Sequence, residues 1–183
     1  MNIDQLSNSR KTLYCYWISR RLFPLYADFY SEYEFGDVDV FLDSLKLVEH
    51  YLNTNEFEES EIRNMLNAID QITPDTDEFG SLKGSFALNA CCSLSDTLRF
   101  IIERNDQILT EIMTYIFDTI DFVIQEGEGY DTNDIGWESK VRNHPLMRRE
   151  LVVQEQFMLL LKESNLSVGQ LSYPDIIDIN LIK

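Results

Sequence analysis

From Ser85 to Ile102 the chain reads Ser-Phe-Ala-Leu-Asn-Ala-Cys-Cys-Ser-Leu-Ser-Asp-Thr-Leu-Arg-Phe-Ile-Ile, and its first half has almost no polar face. Between Phe86 and Leu94 only Asn89 and Ser93 would look for water. A helix that is apolar nearly all round must have neighbours nearly all round. The small side chains of Ala87, Ala90, Cys91, Cys92, Ser93 and Ser95 would let several neighbours come close. This stretch predicts an all-α fold: a single compact bundle of about seven helices around a central buried helix at 85–103. The chain has 183 residues, enough for one domain with a layered core. Seven glycines and four prolines leave few turns, so the elements should be long.

The flanking segments follow the helical period. Leu13, Tyr14, Trp17, Ile18 and Leu22 predict a first helix over 9–22, which Pro24 should break. Leu25, Tyr26, Phe29, Tyr30 and Tyr33 then predict a short second helix, with Gly36 suited to its C-terminal cap. Asp37 or Asp39 can cap a third helix, striped by Val38, Phe41, Leu42, Leu45, Val48 and Leu52. A fourth, over 55–72, carries Ile62, Met65, Leu66, Ile69 and Ile72. The short polar link at 53–56 makes the third and fourth an antiparallel hairpin.

Past the central helix, Asn105 or Asp106 caps a sixth that Gly127 should end, and residues 126–136 read as a polar loop. Asn143 or His144 opens the seventh, with Pro145 in its first turn and Leu146, Val153, Phe157, Leu160 and Leu161 as its buried side. The isoleucine-rich residues 164–183 change character and are partly alternating. They are expected as an extended tail across the helical domain of 1–163, or else paired with another chain's edge.

The net charge of −17 opposes nucleic acid and anionic membrane as partners. No apolar run approaches the ~20 residues of a membrane span, and the first residues lack the marks of a signal peptide, so a cytoplasmic location is expected. Fifteen acids face two bases, Lys46 and Arg63, between Asp28 and Glu78, and seven acids face none between Asp118 and Glu138. The bases gather at Arg10, Lys11, Arg20 and Arg21, and again at Lys140, Arg142, Arg148 and Arg149. Such acidic runs suit a solvated surface or a docking face for a basic protein.

No cofactor or metal is expected. Cys15, Cys91 and Cys92 form no Cys-x-x-Cys spacing, and adjacent helical residues point ~100° apart, so buried thiols are the simpler reading. His50 and His144 fit no paired metal motif. Asp75–Gly80 and Asp131–Gly136 resemble the start of calcium loops. They place Phe79 and Ile135 where an oxygen ligand belongs, and Phe86 and Arg142 where a bidentate glutamate belongs. A phosphate loop, a nucleophile elbow and a Cys–His pair are also missing, so a non-enzymatic role is expected.

Arg20-Arg-Leu-Phe-Pro-Leu-Tyr26, Phe35-Gly-Asp37, Ala87-Leu-Asn-Ala-Cys91 and His144-Pro-Leu-Met-Arg-Arg-Glu150 occur in that order. Over residues 10–163 the chain thereby resembles the DUF416 family, the YjaG-like bacterial proteins. The resemblance implies an all-helical cytoplasmic domain of unknown function. It also implies that Asn89 replaces a more usual Asp, and that Arg148 and Arg149 are this chain's own.

Three functional readings stay open. The leading one is a helical interaction module, of immunity type for example, that docks a basic protein on an acidic face of Asp37, Asp39, Asp43, Glu58, Glu59 and Glu61. The alternative is a small-molecule or enzyme site near His144, with Arg148, Arg20 and Arg21 around an anion-sized cleft at a helix N-terminus. The third is self-association into a homo-oligomer through the tail.

Overall fold

The computed structural model describes residues 5–129, 135–163 and 166–177. Among them lie seven α-helices and no strand: α1 (Asn8–Tyr33), α2 (Val38–Thr54), α3 (Glu59–Ile72), α4 (Leu82–Glu103), α5 (Asp106–Glu128), α6 (Trp137–Asn143) and α7 (Pro145–Glu163). A 3-10 turn at Val168–Gln170 follows.

The apolar stretch becomes α4, packed most extensively on α1 and α5 and also on α2 and α3. Its small residues do the expected work. The Ser93 and Thr97 hydroxyls meet Ser19 of α1 at 2.9 and 3.1 Å, an approach that larger side chains would prevent. Asn89, buried, donates to Thr119 Oγ1 of α5 at 3.1 Å instead of reaching water. Ser81 caps the helix by accepting from the Gly84 N–H. At Gly84 itself a Cβ would run into the Phe79 carbonyl, so only glycine fits.

The expected break at Pro24 does not occur, and the two helices predicted over 9–33 are the single α1. Proline removes one i→i−4 bond, to the Arg20 carbonyl. Pro24 lies on the exposed side, where that carbonyl can be hydrated, while buried Leu22, Leu25 and Tyr26 hold both halves in line. α1 ends at Glu34 in the left-handed region, not at Gly36. Gly36, at φ 91°, serves a close approach: the Asp37 N–H donates to the Tyr26 hydroxyl at 3.0 Å, and Ile72 at the end of α3 lies beside it. Asp37 then caps α2. The start of α2 beside the end of α3 makes these two the antiparallel hairpin expected, although α3 begins at Glu59 and Asn55 instead ends α2.

α5 passes through Gly127 and ends at Gly129. α6 stands in a segment for which no helix was predicted; with α1 undivided, the number is still seven. Residues 130–134 of the expected loop lie outside the described residues. α7 begins at Pro145, where a missing N–H costs nothing. Its buried face is Met147, Glu150, Gln154, Phe157, Met158 and Leu161, whereas Leu160, expected inside, is 50% exposed.

Glu150 is buried because Arg21 is there to meet it. The Arg21 guanidinium grips both Glu150 oxygens at 2.7 Å, donates from Nε to the Pro174 carbonyl at 2.8 Å, and lies 4.4 Å from the Trp17 ring centroid. Gln154 donates to Glu150 at 3.0 Å and accepts from the Tyr14 hydroxyl at 2.6 Å. Residues 171–175 carry no helix and cross α1 and α7. Ser172 accepts from Trp17 Nε1, Asp175 accepts from Arg149, and Ile176 and Ile177 beyond them are buried in the core. The remaining tail, 178–183, lies outside the described residues. Among the described residues no helix is long and apolar enough to cross a membrane.

Breaking a buried ion pair from one side strands the other charge. Glu150→Gln should therefore cost about 3 kcal/mol and lower Tm by about 6–12 °C in a chain of this size. Arg21→Met combined with Glu150→Leu should recover most of that loss in urea and thermal unfolding. Equal losses in the single and double variants would show that the pair is not the cause.

Candidate functional site

The four residues nominated for one anion cleft have separate occupations. Arg21 is buried in the pair with Glu150. Arg20 lies 5.3 Å from the Tyr173 ring centroid, against the tail. Arg148, exposed, donates to Asn143 at 2.8 Å. His144 uses Nδ1 to accept the Leu146 N–H at 3.3 Å, closing the start of α7 with its own side chain, and Nε2 stands 3.7 Å from Glu128. Among the described contacts none joins the Arg20–Arg21 end to His144 or Arg148. A cleft of about 200 Å³ beside the start of α7 is lined by Met147 of α7 and by Asp118, Asp121 and Glu138 against the single cation Arg142, a poor receptor for an anion. Burial, and then Asp121 beside it, raises the Asp118 carboxyl.

The acidic candidates are all exposed. Asp37 caps α2, Asp43 pairs with Lys46, and Glu59 pairs with Arg63. They do not gather at one place: Asp37, Asp39 and Asp43 stand at the start of α2, and Glu58, Glu59 and Glu61 at the start of α3. In an antiparallel hairpin those are opposite ends, separated by about 25 Å of helix.

A different site lies in the wall of α4. A cleft of about 340 Å³ opens between α3, α4 and α5. Leu66, Asn67, Ile69 and Asp70 line it from α3, with Thr73 at that helix's end. Cys91, Cys92, Ser95 and Asp96 line it from α4, and Tyr115 from α5. Cys92 and Asp96 share a face because they are four residues apart on a helix. Asp96 is only 5% exposed. Its Oδ1 accepts from Arg99 at 2.9 Å and its Oδ2 from the Tyr115 hydroxyl at 2.8 Å.

Burial pushes the Asp96 carboxyl above the usual carboxylate range, and the bonds from Tyr115 and Arg99 only partly pull it back. Burial, then the bond to Asp96, raises the Tyr115 phenol. The Cys92 thiol is pushed up to about 11, by burial first and by Asp96 second. Cys91, deeper still, is raised by burial. Among the described residues no group of three or more His, Cys, Asp or Glu side chains is placed to hold a metal ion.

Sequence reasoning placed no role on Asp96, Tyr115, Glu150 or Gln154. For the last two a signal existed: positions 147, 150, 154, 157 and 161 keep a helical period through two polar residues. For Asp96 the only cue was an acid in an otherwise apolar helix.

A family model described as "Protein of unknown function (DUF416)" matches residues 1–171. A crystal structure of a DUF416 family protein from Shewanella baltica OS155 is similar at a TM-score of 0.77 and 23% identity, over 87% of this chain and 82% of that one. At that identity the likeness speaks to the fold. No curated protein matches.

A carboxyl raised on folding binds its proton more readily in the native state, so its ionisation weakens the fold as pH rises through the native titration. The stability of Asp96→Asn minus that of the parent should therefore climb with pH across that titration and be level above it. Urea unfolding of both proteins over a pH series reads this directly. A difference independent of pH would contradict the raised Asp96.

Proposed function

This chain belongs to the DUF416 family, whose function is unknown, and on that premise we propose that it is a binding protein whose α3–α4–α5 cleft receives a compact small molecule. The observation that carries this is the convergence of three helices on one concavity of about 340 Å³. Small-molecule sites start at roughly 300 Å³ and combine apolar walls with a few placed polar groups. Leu66 and Ile69 are such walls; Asp96, Tyr115 and Ser95 are such groups. A perturbed carboxyl inside a cleft adds weight.

Binding is favoured over catalysis by the same electrostatics. A thiol raised to about 11 is almost wholly protonated at neutral pH and a weak nucleophile. Burial, and then its bond to Asp96, keep the proton on the Tyr115 phenol. Three free cysteines support a reducing, cytoplasmic setting.

A fragment screen by protein-observed NMR tests the reading, with neutral, cationic and anionic members. Binders should shift residues of the cleft and raise Tm in the parent. Both effects should vanish in Ser95→Phe, whose ring would occupy the space. A screen in which no fragment moves a cleft residue would end the proposal.

The exposed acids Glu58, Glu59 and Glu61 at the start of α3 favour a second reading, a docking surface for a basic protein, including an immunity role. Electrostatic capture of that kind weakens with salt. A partner recovered from lysate should be lost between low and high salt, and also lost on neutralising Glu58, Glu59 and Glu61 together. A partner indifferent to both would remove the acids from consideration.

A further inference from the structure

We infer that the ligand of this cleft is a small organic cation, a primary or secondary ammonium on a short apolar stem. The inference rests on the binding reading above and adds the ligand's chemistry. It follows from where the protons of the lining residues go. Tyr115 spends its O–H on Asp96 at 2.8 Å, and Thr73 spends its hydroxyl proton on the Ile69 carbonyl at 2.8 Å. Cys91 points its S–H at the Ile72 carbonyl. With these three donors turned into the protein, the Tyr115 and Thr73 oxygens keep only lone pairs for a guest.

The charges agree. Asp70 and Asp96 line the cleft, and no Lys, Arg or His does. Arg99 reaches Asp96 but is not a lining residue. A carboxylate offers about four acceptor directions, and Asp96 accepts two described bonds, leaving room for a further donor. Asn67 and Ser95 can serve as donor or acceptor and oppose nothing. A net charge of −17 draws cations towards the protein and repels anions. A bare metal ion fits less well: the described residues form no metal-ligating group, and a hydrated ion gains nothing from Leu66 and Ile69. An ammonium on an alkyl stem uses both walls.

Pentylammonium, pentanol and pentanoate differ in the head group alone, and calorimetry with NMR mapping compares them on the full chain. Pentylammonium should bind in the cleft, with pentanol and pentanoate weaker by about tenfold or more, because a hydrogen bond to a charged group is worth that much. Asp96→Asn should cost about tenfold in affinity, and Asp70→Asn, on the exposed side of α3, a smaller loss with an intact fold. Ser95→Phe should abolish binding. If Asp96→Asn unfolds, Asp70→Asn decides. Equal or tighter cleft binding of pentanol or pentanoate would overturn the cationic assignment and leave the binding cleft standing. Ammonium binding unaffected by all three variants would place it elsewhere and overturn the inference. No cleft shifts from these probes or from any fragment would remove the binding reading along with it.

Discussion

The pair between Arg21 and Glu150 is the constraint on which the rest of this architecture leans. It joins a helix near the start of the chain to one near its end, and the same guanidinium holds the tail by the Pro174 carbonyl. Burying two charges costs several kcal/mol each, and attraction offsets that only when the geometry is good and every remaining lone pair is used. Here it is: the guanidinium is bidentate, its face rests on Trp17, and Glu150 also takes Gln154, which in turn takes Tyr14. Such a network is strong when complete and a liability when partly filled. Its contribution is specificity as much as stability, since α7 in any other rotation would leave the buried Arg21 charge without its carboxylate.

α4 plays the complementary, apolar role. Its small residues let α1 come close on one side, through Ser19, Ser93 and Thr97. Where α3 and α5 draw against it, small side chains fill less space, and the concavity between them is the result. The cleft is thus the outer edge of the same crowded crossing that builds the core. Asp96 tolerates burial there because Tyr115 and Arg99 reach it from two directions.

Periodicity carried most of the fold. The α4 stretch announced a central helix, and Asp37, Asn105 and Pro145 marked starts that the structure uses. Two failures share a cause. Local chemistry marks Pro24 as a break, yet burial on both sides of it outweighs one lost bond. An acid in an apolar stripe looks like an interruption, and the partner that explains Glu150 lies 129 residues away. The site was less legible than the fold for the same reason. Asp96, Tyr115, Asn67 and Asp70 come from three helices, and no spacing along one chain brings them together. The motifs that resembled the family do become intelligible in space: Arg21 of the first meets Glu150 of the last.

That separation also has a consequence in time. Synthesis is vectorial, at about 5–20 residues per second, so Arg21 leaves the ribosome on the order of ten seconds before Glu150 is even made. Through that interval α1 has a permanent charge on the face it must later bury, and water is the only suitable host. Until Glu150 is made, the Arg21 charge has no carboxylate to meet on that face. The ion pair thus gives the native fold a chronology: this contact can form only once the far end of the chain exists.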